Sequence, residues 1–200
     1  MASHKVREKK DDFAILEILR TKGVSVPPFT TDLRDIGEVG LPAYVISRGG
    51  NGPDVRTAVA RYGDIAPAIA RAMRSGASVA VQKCVPGHEV ARGVMEHEGK
   101  TVPLMPIDAL PRPRHEAVSW HMAERQIARV QKLAAKAHEA CGALGHSCVR
   151  LVASPHGEYV TSVEFAPALT RSAAFVHSAA VVGFTLPELV RSLEAKEARS

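Results

Sequence analysis

The chain has 200 residues, a formal net charge of +5 at pH 7 and a hydrophobic share of 46%. This length allows one large domain or two small ones. Aromatic residues make up only 4%, which disfavours an all-β sandwich. No apolar run reaches the roughly 18 residues that a membrane span requires, so we expect no membrane insertion. No apolar run follows the basic N-terminus either, so we expect no signal peptide and a cytoplasmic location.

Much of the positive charge lies near the N-terminus, in Lys5–Lys10. We interpret residues 1–10 as a solvated basic leader without fixed structure. No basic stripe interleaved with aromatic residues accompanies it, so we expect no nucleic-acid partner. Cys84, Cys141 and Cys148 lack CxxC spacing, and Cys141 and Cys148 lack the clustered His and Cys partners of a zinc site, which favours reduced, mostly buried thiols.

In chain order, the hydrophobic pattern predicts helices, strands and two hairpins. Asp11 and Asp12 can cap the first helix, and Gly23 stands where a helix ends. The predicted elements are a helix Phe13–Lys22, a buried strand Leu41–Ile46, a helix Ile65–Arg74, a strand of Val79–Val81 and Val85, a hairpin Val90–Met95 with Thr101–Met105, a helix Trp120–Leu144, a hairpin Val149–Ala153 with Tyr159–Phe165, and a helix Leu186–Glu197. This pattern predicts a mixed α+β chain with antiparallel strand pairs and flanking helices.

Five segments, in order, resemble one known family. They are 22–29 (KGVSVPPF), 41–46 (LPAYVI), 81–89 (VQKCVPGHE), 154–164 (SPHGEYVTSVE) and 183–190 (GFTLPELV). Together they resemble the C-terminal region of D-alanine–D-alanine ligases, members of the ATP-grasp superfamily, from about Asp11 onward. Because the resemblance starts so near the first residue, we expect the family's separate N-terminal domain to be missing.

The resemblance implies two α+β subdomains that hold ATP, here expected at 11–85 and 86–200. Such enzymes join two D-alanines through an acyl-phosphate, as peptidoglycan precursors require. The resemblance places the adenine hinge at Gln82–Val85 (Gln82, Lys83, Cys84 and Val85), and a ribose-binding glutamate at Glu89. Glutamine can accept a hydrogen bond from an amino group and can also donate. Glu89 could equally be a polar residue at the start of a strand.

This chain departs from the family's pattern at the positions where the family binds phosphate. Leu16 and Ile46 stand where the resemblance places two lysines. Arg48 is near Ile46, but we expect its side chain on the other face of the strand. The glycine-rich segment 49–52 could close over phosphates through backbone amides, although such a segment more often forms a plain turn.

The metal and substrate positions depart further. The resemblance places an Asp, a Glu and an Asn around Mg²⁺, at positions where this chain has Arg150, Glu164 and Ala166. Glu164 is therefore the one expected metal ligand, and Mg²⁺ binding is in doubt. Ala173 replaces a serine of the substrate loop. Ala109–Trp120, at the family's mobile loop, has no lysine or tyrosine.

Two functions from different classes follow. One is an ATP-dependent carboxylate–amine ligase, impaired at these positions and in need of a separate N-terminal partner. The other is a catalytically inactive pseudoenzyme that binds a nucleotide or another protein. The sequence identifies no catalytic residue for either. A homodimer or a partner chain is expected to cover the surface that the N-terminal domain covers in the family.

Overall fold

The computed structural model describes residues 12–49, 55–74, 76–97, 99–109, 122–165 and 167–197. The basic leader 1–10, the end of the glycine-rich segment 49–52, most of Ala109–Trp120, and Ala166 lie outside the described residues. No helix among those described is long and apolar enough to cross a membrane.

The described chain forms helices α1–α6 and strands β1–β8. The helices are α1 (Asp12–Thr21), α2 (Ile36–Val39), α3 (Ile65–Met73), α4 (Glu124–Ala140), α5 (Ala174–Ala180) and α6 (Leu186–Glu197). The strands are β1 (Phe29–Thr30), β2 (Ala43–Arg48), β3 (Val55–Val59), β4 (Ser78–Lys83), β5 (His88–His97), β6 (Lys100–Asp108), β7 (His146–Ser154) and β8 (Gly157–Glu164).

The chain divides into two compact units, described separately below. The first comprises Met1–Glu17 and Pro27–Cys84, and the second comprises Ile18–Val26 and Val85–Ser200. Each contains a four-stranded antiparallel sheet and helices. The α+β class predicted from the sequence is therefore confirmed.

The first unit is built on a sheet of order β1-β4-β2-β3. Helix α3 packs on one face, where Val45, Val59 and Val81 form a core with Ile65 and Ile69. The alternation of side chains along each strand sends the neighbouring positions to the opposite face. Those positions are Phe29, Tyr44, Ile46, Arg48, Arg56, Ala58, Ser78, Ala80 and Gln82.

The second unit is built on a sheet of order β6-β5-β7-β8. Helix α5 lies on one face, where its Phe175 and Ala179 are fully buried with Leu104 and Ile107. Helix α4 lies on the other face and buries Val130 and other small residues there. Both faces of this sheet are therefore covered, at least in part, by helices.

Helix α1 ends where Gly23 was predicted to end it. The Gly23 N–H donates to Arg20 O at 3.0 Å and the Val24 N–H to Leu19 O at 2.9 Å. This pair of bonds needs a left-handed residue, and Gly23 has φ 69°. The chain then reaches the outer edge of β8, where the Val160 N–H donates to Ser25 O at 2.8 Å.

Most predicted elements are present, and several have shifted ends. The last helix begins at Leu186 and ends at Glu197 as predicted, whereas α4 begins at Glu124 and ends at Ala140. Strand β3 and helix α5 were not predicted. Cys148 is buried, Cys84 and Cys141 are partly buried, and none of the three forms a disulfide.

Candidate functional site

The end of β4 contains the residues assigned to the adenine hinge. The Lys83 N–H donates to Pro28 O at 2.7 Å and the Cys84 N–H to Pro42 O at 3.0 Å. These two backbone donors are thus used inside the first unit. The Lys83 ammonium is also occupied, because it donates to the Leu41 carbonyl. Neither of these two bonds uses the backbone N–H of Val85.

Gln82 is the buried polar side chain of this strand. It is 2% exposed, and its register opposite Tyr44 puts it on the sheet face away from α3. Its amide nitrogen Nε2 has no hydrogen-bond partner in the described part of the chain. A buried donor without a partner costs about 1–3 kcal/mol, so an acceptor brought by a ligand would be stabilised here.

Glu89 lies in the second unit, near the start of β5, opposite Val152 of β7. Gly87 lies two residues before Glu89, where the backbone closely approaches β7. A Cβ at Gly87 would lie 2.5 Å from the Ala153 carbonyl oxygen and 2.9 Å from Val152 Cγ1. Only glycine allows this approach, so the turn into β5 is fixed by packing against β7.

The register of the second sheet brings three charged residues to one face. Arg150 pairs with Ala91 on one side and with Ser162 on the other. Glu89 is two residues before Ala91, and Glu164 is two residues after Ser162. Side chains two apart along a strand share a face, so Glu89, Arg150 and Glu164 all lie on the face that carries α5. Arg150 and Glu164 are exposed and diagonal to each other.

Two of these charges affect the pKa of the buried Cys148 thiol. It lies opposite Glu164 and two residues before Arg150. Burial raises its pKa to about 11, while the Arg150 guanidinium lowers that pKa and the Glu164 carboxylate raises it. Both charges are thus close to the same sulfur. A thiol with so high a pKa stays protonated at neutral pH and is a poor nucleophile.

The donor set on this face does not suit a divalent cation. Glu164 supplies one carboxylate, and Arg150 brings a positive charge to the diagonal position. Across the described ranges, no group of three or more His, Cys, Asp or Glu side chains could hold a metal ion. Mg²⁺ prefers several oxygen ligands. The residues present therefore do not fit Mg²⁺ in the arrangement that the resemblance implies.

The first sheet presents a different set of charges on its face away from α3. Leu16 and Ile46, at the two expected lysine positions, are 1% and 5% exposed. The sequence-based placement of Arg48 is wrong, because β2 continues through Arg48 and residues two apart share a face. Arg48 therefore lies on the same face as Ile46. Arg56, directly opposite Ile46 on β3, was not identified from the sequence.

The signal for Arg56 was present in the sequence. The pattern typical of a strand is present in residues 55–59 (VRTAV), which alternate, and a glycine-rich segment precedes them. A hairpin with Leu41–Ile46 would have placed Arg56 beside Ile46.

Two α+β units, each with a four-stranded antiparallel sheet, together form an ATP-grasp-like fold. Solved structures with this fold include ligases that act on D-alanine. The structure is similar to D-alanine–D-alanine ligase from Bacillus anthracis complexed with ATP, with a TM-score of 0.78 and 18% identity. It is also similar to the VanG D-Ala:D-Ser ligase from Enterococcus faecalis, with a TM-score of 0.76 and 16% identity.

These similarities cover 94% and 92% of this chain, but only 66% and 60% of the two ligases. The D-alanine–D-alanine ligase from Coxiella burnetii gives a TM-score of 0.77 at 16% identity, over 92% of this chain and 55% of that one. No protein-family model matches the sequence, and no curated protein matches it. At these identities the comparison establishes the fold, which confirms the resemblance at the structural level.

Proposed function

We propose that this chain is a nucleotide-binding protein of the ATP-grasp type, related to D-alanine–D-alanine ligases, that no longer carries out ligation. The observation that carries the proposal is Arg150 on the same sheet face as Glu164. The fold supports nucleotide binding, and this charge arrangement argues against the metal-dependent chemistry.

The electrostatic cost explains why ligation would be lost. A guanidinium about 4 Å from a divalent cation is repelled by roughly 8 kcal/mol at an effective dielectric constant of about 20. One carboxylate, that of Glu164, cannot offset this and also replace the missing ligands. Phosphoryl transfer depends on positioning and on neutralisation of charge by cations. Without the metal ion, an acyl-phosphate would form too slowly to sustain ligation.

The same proposal assigns nucleotide contacts. The Gln82 amide would bind the edge of the adenine ring, and backbone groups of Lys83, Cys84 and Val85 would provide further contacts. Of these backbone groups, the Val85 N–H is the donor, because those of Lys83 and Cys84 are already used. The Glu89 carboxylate would accept hydrogen bonds from ribose hydroxyls.

A second candidate is a working ligase completed by another polypeptide. It is favoured by the comparisons, which cover only 55–66% of the three ligases described above. The remaining part of such an enzyme would come from a partner or from chain outside this sequence. In either case we propose a cytoplasmic protein that forms a homodimer or binds a partner chain.

Calorimetric titration with ATP, with and without Mg²⁺, tests the proposal. We expect binding that Mg²⁺ does not strengthen, and no phosphate release when D-alanine is added. Turnover with D-alanine would establish the ligase instead. No binding of ATP at millimolar concentration would show that only the fold has been retained.

The Arg150→Asp variant sharpens this test. It removes the repelling charge and adds a carboxylate, so ATP binding should become stronger in Mg²⁺ than in EDTA. Arg125→Asp is the matched control, because it makes the same charge change at an exposed position of α4. If Mg²⁺ already strengthens binding to the unmodified protein, Arg150 is not the obstacle proposed here.

A further inference from the structure

Gln82 lies between two aromatic residues on the first sheet. It is opposite Phe29 of β1 on one side and opposite Tyr44 of β2 on the other, and directly opposite residues of antiparallel strands share a face. Ala80, two residues earlier on β4, and Ile46, two residues after Tyr44, are buried apolar residues of the same face. The nearest strand neighbours of the Gln82 amide are therefore aromatic or apolar.

No hydrogen bond holds the amide nitrogen of Gln82 in one orientation. Gln82 is 2% exposed, and its Nε2 has no partner within the described ranges. The last torsion of a glutamine side chain is broad and roughly two-fold, so a rotation of half a turn exchanges the oxygen and the nitrogen without breaking a bond to Nε2. An amide both accepts and donates. The same side chain can therefore present either group to a ligand.

An ionised carboxylate at this position would behave differently, because it only accepts hydrogen bonds. It would pair with an exocyclic amino group, such as the one at position 6 of adenine, and would repel the carbonyl oxygen at the same position of guanine or hypoxanthine. A site discriminates strongly when the wrong ligand leaves a buried polar group unpaired. The amide of Gln82 is left unpaired by neither kind of ring.

We propose that Gln82 contacts the exocyclic group at position 6 of a purine, so that the site takes 6-oxopurine nucleotides as well as ATP. The proposal rests on the nucleotide-binding function given above and widens its ligand class. A carbonyl oxygen has two lone pairs, so the 6-oxo group can accept from Gln82 Nε2 and from a backbone N–H together. Gln82 is thus the residue that determines which purines are accepted.

The test compares ATP with inosine triphosphate (ITP), which has the same ribose and triphosphate and differs only in the base. Calorimetry in EDTA and in Mg²⁺ would measure both affinities, and we expect them to agree within about threefold for the unmodified protein. In Gln82→Glu, ITP should bind about tenfold more weakly than ATP, because its carbonyl oxygen then faces a carboxylate. A pH of about 8.5, far above the ordinary glutamate pKa of about 4.3, favours the ionised form of the new side chain.

Two further variants separate the contact from the added charge. Gln126→Glu makes the same change at a half-buried position of α4, and should keep the ATP-to-ITP ratio of the unmodified protein. Gln82→Met keeps a similar volume without donor or acceptor, and should weaken ATP and ITP by a similar factor. Circular dichroism checks that each variant is folded. If Gln82→Glu is unfolded, the Gln82→Met affinities decide, since unchanged binding would exclude a contact with the base.

The outcomes separate this inference from the proposed function. An unmodified protein that binds ATP at least about tenfold more tightly than ITP would overturn the wider ligand class and keep nucleotide binding. Similar affinities that neither variant at Gln82 alters would show that another group recognises the base, and would overturn the role of Gln82. Failure of both nucleotides to bind the unmodified protein would refute the proposed function together with this inference.

Discussion

The two faces of the second sheet are covered by helices in different ways. On the α5 face, the helix lies directly on Gly93, whose N–H donates to Ser178 Oγ at 3.0 Å. On the α4 face, polar groups are enclosed: Arg92, His138 and Ser147 are each at most 1% exposed. The first face depends on close packing and on the hydrogen bonds of Ser178, and the second depends on buried polar groups and their charge state. The same sheet is therefore sensitive to volume on one side and to pH on the other.

The α4 face contains buried groups that have no hydrogen-bond partner in the described ranges. Arg92 donates from Nη2 to Pro103 O at 3.1 Å, while its Nε and Nη1 have no partner within the ranges described. Burial lowers the Arg92 pKa to about 9. His138 Nδ1 bonds to Ser147 Oγ at 2.8 Å, and its Nε2 is 3.9 Å from a Glu96 oxygen. The burial of these polar groups therefore costs electrostatic free energy.

The largest effect expected is from adding volume to the α5 face. A Cβ at Gly93 would lie 2.7 Å from Leu104 Cδ1 and 2.9 Å from Phe175 Cδ2. Gly93→Val should therefore lower the free energy of unfolding by roughly 3 kcal/mol through overpacking. Urea denaturation measures it, with Gly63→Val, which has open space around its Cβ, as the control. Equal losses in the two variants would contradict the close packing of α5.

A smaller loss is expected from the hydroxyl that joins α5 to the sheet. Ser178 Oγ accepts from the Gly93 N–H and donates to Met105 O, and Ser178 is fully buried. Ser178→Ala leaves both backbone groups unsatisfied and should cost about 2 kcal/mol. Thermal unfolding against the exposed Ser172→Ala would measure the difference. A variant as stable as the control would mean that the hydroxyl is replaceable by water.

The smallest effect is a pH dependence from the α4 face. Burial lowers the His138 pKa below its usual 6.5, although Glu139 opposes this, and the nearby Glu96 carboxylate would also favour the charged form. Because the unfolded chain then binds the proton more readily, stability is present above about pH 6.5 and is lost as the pH falls below it. The slope cannot exceed about 1.4 kcal/mol per pH unit for one group.

Denaturation curves between pH 5 and 8 would test this sign, with His138→Gln as the comparison. The variant should lose the part of the slope that begins near pH 6.5. If the two proteins share the same slope there, other groups are responsible. The three experiments together would show whether the two faces differ as the packing indicates.

An element could be predicted well where its own residues stabilise it, and poorly where residues distant in sequence do so. Helix α6 has its own signals, with Pro187 in the first turn, and was located to the residue. Helix α5 has only seven residues and is stabilised by Gly93 and Leu104, which are distant in sequence. Strand β3 buries only Val59, so its signal was the alternation of its residues and not a run of buried apolar side chains.

The candidate site was harder to predict for the same reason. The segments that resemble the ligases could be found along the chain, including the hinge at Gln82 and the strand ending at Glu164. That Glu89, Arg150 and Glu164 share a face depends on strand register, and β8 shifts register between Arg150 and Leu151 of its partner. Local pattern does not determine a bulge. The assignments at these residues remain predictions, and the Arg150→Asp variant tests the one at Arg150.

The path of the chain after α1 has a consequence for dividing this protein. Ile18–Val26 belongs to the second unit although it precedes most of the first. Its Ser25 carbonyl accepts from Val160 on the outer edge of β8, and its Gly23 carbonyl accepts from Lys136 of α4. Expressing residues 85–200 alone would uncover that edge, and an uncovered edge strand favours association between copies. A soluble second unit would therefore need this segment restored, for example by joining 18–26 to residue 85 through a flexible linker.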